Sequence, residues 1–322
     1  MKRQFGFSLQ GKDWWAIYLL FWVLFLVIYI PELRLKNWGP SASGQAGLYL
    51  LVVLLFVVAI LILSAIFTIV FLRIILAKVT FDGAPFSFGG SIGRFLGMML
   101  LGTLLSIVTV TIYVPWFARR IYAYVASETS FRDERLQFLG KGGKFFVYYL
   151  LAALIPIIVV TVVFVFVVGV QVAGGNAPRS GLYTGVLSGI FFIVLIPFIY
   201  LTYKWMVNIQ WKNLTVRWQT SFWPSCFFIL GQLLLTVITA IIYWPAASLR
   251  IYRYFVGKTA LQGPDGEVAR LGFEGSIGRG FGLLWGQFLL TVITLGIYAP
   301  WAYTNVARWL LGATYVETKN PV

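Results

Sequence analysis

Few side chains in this chain could do chemistry. It has 322 residues, no histidine and one cysteine, Cys226. Imidazole bases, proton relays and His or thiolate metal sites are therefore excluded. Ten carboxylates are present, and none lies inside an apolar run, where an ion-coupled carrier usually marks its path. No catalytic constellation can be assembled, so the expectation is a protein that is not an enzyme and uses no cofactor or metal. What remains are hydroxyls and amides: Thr109, the set Gln232, Thr236 and Thr239, and the matching set Gln287, Thr291 and Thr294. In each set the threonines are three apart and the glutamine precedes them by four, which puts all three on one helical face. Such a stripe either lines a pathway or hydrogen-bonds neighbouring helices, at about 0.6 kcal/mol per bond in lipid. The plainer use is the second.

A second group is aromatic and basic. Tyr113, Trp116, Arg120 and Tyr122 are echoed by Tyr243, Arg250 and Tyr252, and again by Tyr298 and Trp301. Tyr and Trp sit at headgroup depth while Arg reaches phosphate, so these nine are candidate lipid-headgroup residues.

The elements that position them are apolar. Hydrophobic residues make up 60% of the chain and charged ones 11%, a balance that a soluble domain of this length could not solvate. Seven charge-free windows, near 14–31, 48–72, 95–117, 145–171, 182–203, 226–247 and 281–302, approach or exceed the roughly 20 residues that cross a hydrocarbon core. The expected fold is an all-α polytopic membrane protein with about seven hydrophobic segments. The net charge of +15 comes from cations scattered over the connectors. That favours anionic lipid headgroups over nucleic acid as partner. Met1-Lys2-Arg3 leads to an apolar run with no small-residue cleavage site, so no signal peptide is removed. Cys226 stands in an apolar run and reads as buried.

Self-similarity organises the chain. Phe88–Trp116 aligned on Phe273–Trp301 gives 14 identities in 29 positions. Gly231–Thr239 matches Gly286–Thr294, and three segments end in Tyr-x-Pro, at Tyr113, Tyr243 and Tyr298. Pseudo-repeats of approximately 1–129, 130–259 and 260–322, the last partial, divide one integral membrane domain. Alternating residues before several segments, as at Phe86–Phe88 after Asp82-Gly83, predict short β-hairpins at the membrane surface. Pro115, Pro245 and Pro300 predict a helix break in each Tyr-x-Pro segment.

Two topologies follow. Simple alternation places 12 Lys and Arg on one side and 13 on the other. If only the connectors 32–47 and 172–181 face outward, the split becomes 22 to 3, as the positive-inside rule expects. The second requires the three Tyr-x-Pro segments to enter and leave on one side, as re-entrant helices.

The motif Gly-Ile-Tyr-Ala-Pro-Trp at 296–301, with its relatives Ile112–Trp116 and Ile242–Pro245, the Arg-x-Tyr that follows, and Phe-x-x-Gly before each segment, resembles the YjgN-like bacterial inner-membrane proteins. The resemblance covers most of residues 73–310. It implies a multi-pass protein of the bacterial cytoplasmic membrane, encoded near a membrane zinc metallopeptidase, and supplies no activity. Asn305 and Ala246 depart from the pattern, at an Arg and a Trp of other copies. The expected function is a permease, channel or lipid-handling protein with a pathway between repeats. The alternative is a non-catalytic partner or scaffold of another membrane protein, such as that metallopeptidase.

Overall fold

A computed structural model describes residues 2–35, 46–174, 180–264 and 266–318. Most of the connectors 32–47 and 172–181, and Asp265 of the last hairpin turn, lie outside these residues. One unit, a strand, a helical hairpin and a returning strand, occurs five times. The first is β1 (Lys2–Phe7), α1 (Trp15–Leu35), α2 (Ala46–Leu76) and β2 (Val79–Phe81). The second is β3 (Ala84–Phe88), α3 (Ile92–Val108), α4 (Val114–Ser127) and β4 (Thr129–Phe131). The third opens with a strand in two pieces, β5 (Glu134–Arg135) and β6 (Gln137–Phe138), and continues through α5 (Gly142–Tyr149), α6 (Ile155–Ala173) and α7 (Ser180–Met206) to β7 (Ile209–Trp211). The fourth is β8 (Leu214–Trp218), α8 (Phe222–Ile238), α9 (Trp244–Gly257) and β9 (Thr259–Gly263). The fifth is β10 (Gly266–Phe273), α10 (Ile277–Ile293), α11 (Ala299–Gly312) and β11 (Thr314–Thr318).

Each hairpin leaves the sheet and returns to it at adjacent residues. The pairs at its feet are Phe7 with Val79, Phe88 with Thr129, Phe138 with Ile209, Trp218 with Thr259 and Phe273 with Thr314. Opening strands serve two neighbours in turn. In β1, Lys2–Gln4 pair with β11 and Phe5–Phe7 with β2; β3 divides the same way between β2 and β4. The strands form one antiparallel sheet of eleven, in the order β5-β4-β3-β2-β1-β11-β10-β9-β8-β7-β6. Its end strands are consecutive in the chain, separated by Leu136, whose amide donates to the Thr129 carbonyl at 2.9 Å. The sheet is thus a nearly closed, barrel-like ring.

This corrects the all-α, seven-segment expectation. The hairpin expected around Asp82-Gly83 forms, as β2 and β3, but alternation within single strands carries no sign that they join into one sheet. Among the described residues only three helical stretches, Leu50–Leu76, Gly142–Gln171 and Gly189–Met206, are long and apolar enough to cross a membrane. The described apolar part of α1 is shorter, Trp15–Val27. In the Tyr-x-Pro segments the uncharged run is real, but a turn divides it into a 17-residue helix and a 14-residue return helix, with identical lengths in all three copies. Both feet stand on the sheet, so these segments are re-entrant with respect to it.

Each break is a Schellman motif. The amide of Val110 donates to Ile107 and that of Thr111 to Ser106; Ala240 and Ile241, then Leu295 and Gly296, repeat the two bonds. The motif needs a left-handed residue after the helix, normally glycine. Here Val110, Ala240 and Leu295 take that place with φ of 48°, 47° and 50°, and Thr111 and Ile241 follow at 69° and 72°. Proline then stands in the first turn of α4, α9 and α11, where its missing N–H would find no partner in any case. In the third unit a π-helical turn at Leu150–Leu154 joins α5 to α6. It lies immediately before Pro156, whose ring would clash with a regular helical carbonyl.

The cores lie at the seams between units. Ala65 and Ile69 of α2 pack on Phe88, Phe95 and Tyr124 of the second unit. Ile196 and Tyr200 of α7 pack on Cys226 and Phe255 of the fourth. Phe7, Leu9 and Trp14 meet Ala307 and Leu311 of α11. Trp205, buried, stacks on Phe145 at 4.3 Å and edges against Tyr122 at 5.5 Å. A Phe-x-Gly spacing at the foot of three units, distinct from the Phe-x-x-Gly noted in the sequence, has a packing cause. The rings of Phe88, Phe138 and Phe273 fold back over Gly90, Gly140 and Gly275, where any Cβ would come within 2.4 Å of ring carbon.

Candidate functional site

The three Tyr-x-Pro hairpins spend most of their polar side chains on themselves. Thr109, Thr239 and Thr294 each donate to the carbonyl four residues back, at 2.7 to 2.8 Å, and accept the amide of Tyr113, Tyr243 or Tyr298 at 3.0 to 3.1 Å. One hydroxyl thereby staples the helix end to the start of the return helix. Thr236 and Thr291 donate to the carbonyls of Gln232 and Gln287, both at 2.8 Å. Gln232 is buried and accepts the Tyr243 hydroxyl at 3.1 Å. Gln287 accepts the amide of Asn305 at the same distance. Where the second unit has neither glutamine, Gly102 leaves its space to the Phe117 ring.

The aromatic and basic residues form small stacks. Tyr113 lies on Trp116 (6.4 Å) and Tyr298 on Trp301 (6.0 Å). Arg120 sits over the Tyr113 ring at 5.8 Å and Arg250 over Tyr243 at 5.6 Å, geometry that fits cation–π attraction. Asn305, at the matching position of the fifth unit, turns to Gln287 instead. Tyr122 contacts the Met206 sulfur and the edge of Trp205. Tyr252 shares a hydrogen bond with Thr314 at 2.9 Å and edges against Phe273.

Four other cations hold the seams. Arg73 of α2 donates to the Gly90 carbonyl (2.9 Å), Arg119 of α4 to Gly140 (3.2 Å), Lys204 of α7 to Thr220 (2.7 Å) and Arg308 of α11 to Leu9 (2.7 Å). In each case the cation belongs to one unit and the carbonyl lies two residues past the foot residue of the next. At the fifth seam, between α9 and β10, no side chain among the described residues donates to the equivalent Gly275 carbonyl. Three of the clamps stand five or six residues before a returning strand, a spacing without meaning until that strand is known.

That fifth seam carries an open cleft of about 590 Å³, lined by α9, α10 and α11. Its walls are apolar, among them Trp244, Leu284, Phe288, Tyr303, Val306 and Leu310, and its polar groups are Gln287, Thr291 and Tyr252. No charged residue lines it. Of the seven candidate pathway residues, Gln287 and Thr291 face this cleft; the others close their own hairpins. On the opposite face of α11 a second cleft of about 520 Å³ is lined by Lys12, Arg308, Asn305, Thr304 and Gln10, with Trp301 beside it. It is cationic and polar, suited to an anion rather than a chain. Among the described residues no group of three or more Cys, Asp or Glu is placed to hold a metal ion.

Residues 83–262 and 268–320 match a family described as a bacterial protein of unknown function, DUF898. No curated protein and no solved structure matches the chain. The match covers well over half of the sequence and all three Tyr-x-Pro hairpins, and the chain belongs to this bacterial, YjgN-like family.

Proposed function

We propose that the chain is a multi-pass protein of the bacterial inner membrane that handles lipid, holding the acyl part of an amphiphile in the cleft between its fourth and fifth units. The observation that carries this reading is the character of the cleft. It is open, free of charge and largely apolar, with Gln287, Thr291 and Tyr252 as its few polar points. A hydrophilic solute or an ion would lose its hydration there without replacement, whereas a hydrocarbon chain has no hydration to lose and passes between bilayer and cleft at little cost. From Ala302 to Leu311 the cleft follows α11 for about 14 Å, at 1.5 Å per residue.

Charge supports the orientation. Of 25 Lys and Arg, only Arg34, Lys36 and Arg179 fall by sequence in the connectors 32–47 and 172–181, leaving 22 in the rest of the chain. By the positive-inside rule the sheet faces the cytoplasm.

Native mass spectrometry of protein extracted in mild detergent tests the function. Retained phospholipid is expected on the unmodified chain and none on Val306→Trp, which fills the cleft. Equal retention on both would sink the lipid reading. A membrane-impermeant thiol reagent tests orientation on an Asp133→Cys variant in intact cells stripped of outer membrane; modification from outside would reverse it.

A further inference from the structure

The two kinds of hairpin differ in reach. Helices α2 and α7 have 31 and 27 residues, about 46 and 40 Å at helical rise, enough for a hydrocarbon core of about 30 Å. The three short hairpins have no such length. The first cations after their tips are Arg119, Arg250 and Arg308, which follow the tip residues Val110, Ala240 and Leu295 by 9, 10 and 13 positions. Along the helix those intervals are about 14, 15 and 20 Å, against about 15 Å for half of a hydrocarbon core. With the guanidinium groups at headgroup level, each tip stands near the bilayer midplane.

The tips are built to meet hydrocarbon. Val110, Ile238 and Leu295 are 79%, 77% and 87% exposed, and no charged residue stands near them in sequence. The left-handed position that glycine would fill without strain carries Val110, Ala240 and Leu295. A non-glycine residue there costs about 1–2 kcal/mol. A sequence that needed only to end a helix would use glycine; one that needs an apolar side chain at the end of a probe would not.

Resting on the membrane reading above, we infer that the three short hairpins occupy a single leaflet, which makes the protein a wedge that prefers bilayers convex towards its sheet. In the sheet-side leaflet ten helical rods are present, counting α5 and α6 as one; only the helices of the two long hairpins, three of them with full-length apolar stretches, continue past it. Six helices of about 10 Å diameter leave the sheet-side leaflet wider by about 500 Å².

The full chain, with Cys226→Ala, is reconstituted into small sonicated and large extruded vesicles of the same phosphatidylethanolamine and phosphatidylglycerol mixture. Access of an impermeant reagent to Asp133→Cys reports the sheet-out fraction, and a fluorophore on Leu295→Cys reports tip depth. The wedge predicts a sheet-out fraction several-fold higher, relative to sheet-in, in small vesicles than in large ones. It also predicts quenching of the tip label by lipids brominated near the chain end, and none by aqueous iodide from either side. Equal orientation in both vesicle sizes, or iodide quenching at the tip, overturns the inference. Failure to enter either vesicle overturns the membrane reading beneath it, a distinguishable result.

Discussion

Thr239 closes its turn with two hydrogen bonds of opposite sense, donating to Leu235 and accepting from Tyr243. Thr239→Val keeps shape and removes both, leaving the Tyr243 amide without its acceptor. A loss of about 1 kcal/mol is expected, read as a lower thermal midpoint in detergent, with Thr239→Ser close to the parent. Val110→Gly moves the other way. It relieves a left-handed β-branched residue and should raise stability in detergent by roughly 1 kcal/mol, the strain relieved minus the freedom glycine gains when unfolded. The threonine spacing was legible in the sequence, but the bonds to neighbouring helices expected of it are not what these hydroxyls make: each reaches the carbonyl four residues back in its own helix. The role of Asn305 was not legible. It reads as a lost arginine, and only the nearness of α10 to α11 shows that it holds Gln287.

The seam clamps set the strength of the joints between hairpins. Arg73→Gln and Lys204→Gln should each lower stability by about 1 kcal/mol, because a charge-assisted bond to a backbone carbonyl is lost at a partly solvated foot. Arg253→Gln, at the seam without a clamp, should change little. Chemical denaturation of the three variants in the same detergent separates them. The clamps escaped sequence reasoning because donor and acceptor belong to different units and no local pattern joins them. Helix ends fared better. Pro115, Pro245 and Pro300 marked the breaks, whereas the charge count, 22 against 3, left hairpins that return to the side they left as one of two topologies. Apolar length alone misled, since a 24-residue uncharged run from Phe95 to Ala118 reads the same whether or not a turn divides it.

At the scale of the molecule the sheet was the feature hidden from sequence. Its strands are as short as two or three residues, and all but the two end strands pair with two neighbours, so pattern could predict hairpins but not a ring. The ring has one joint with no connecting turn, between β1 and β11, where Lys2 stands opposite Glu317. Those partners are 315 positions apart in the chain. During synthesis β1 leaves the ribosome with one half able to pair with β2 and the other half waiting until four more hairpins have been inserted. An unpaired strand edge is a site for mispairing, and such a late, non-local contact slows folding. A chain rearranged to begin at Gly83 and end at Asp82, with a short Gly-Ser link from Thr318 to Lys2, would make that joint locally and move the late one to the smaller β2–β3 pairing, two partner pairs in place of three. It should fold to the same ring and insert with fewer aggregates, and the ratio of folded to aggregated product after pulse labelling would show it. The seam that closes the molecule is therefore also the clock of its assembly.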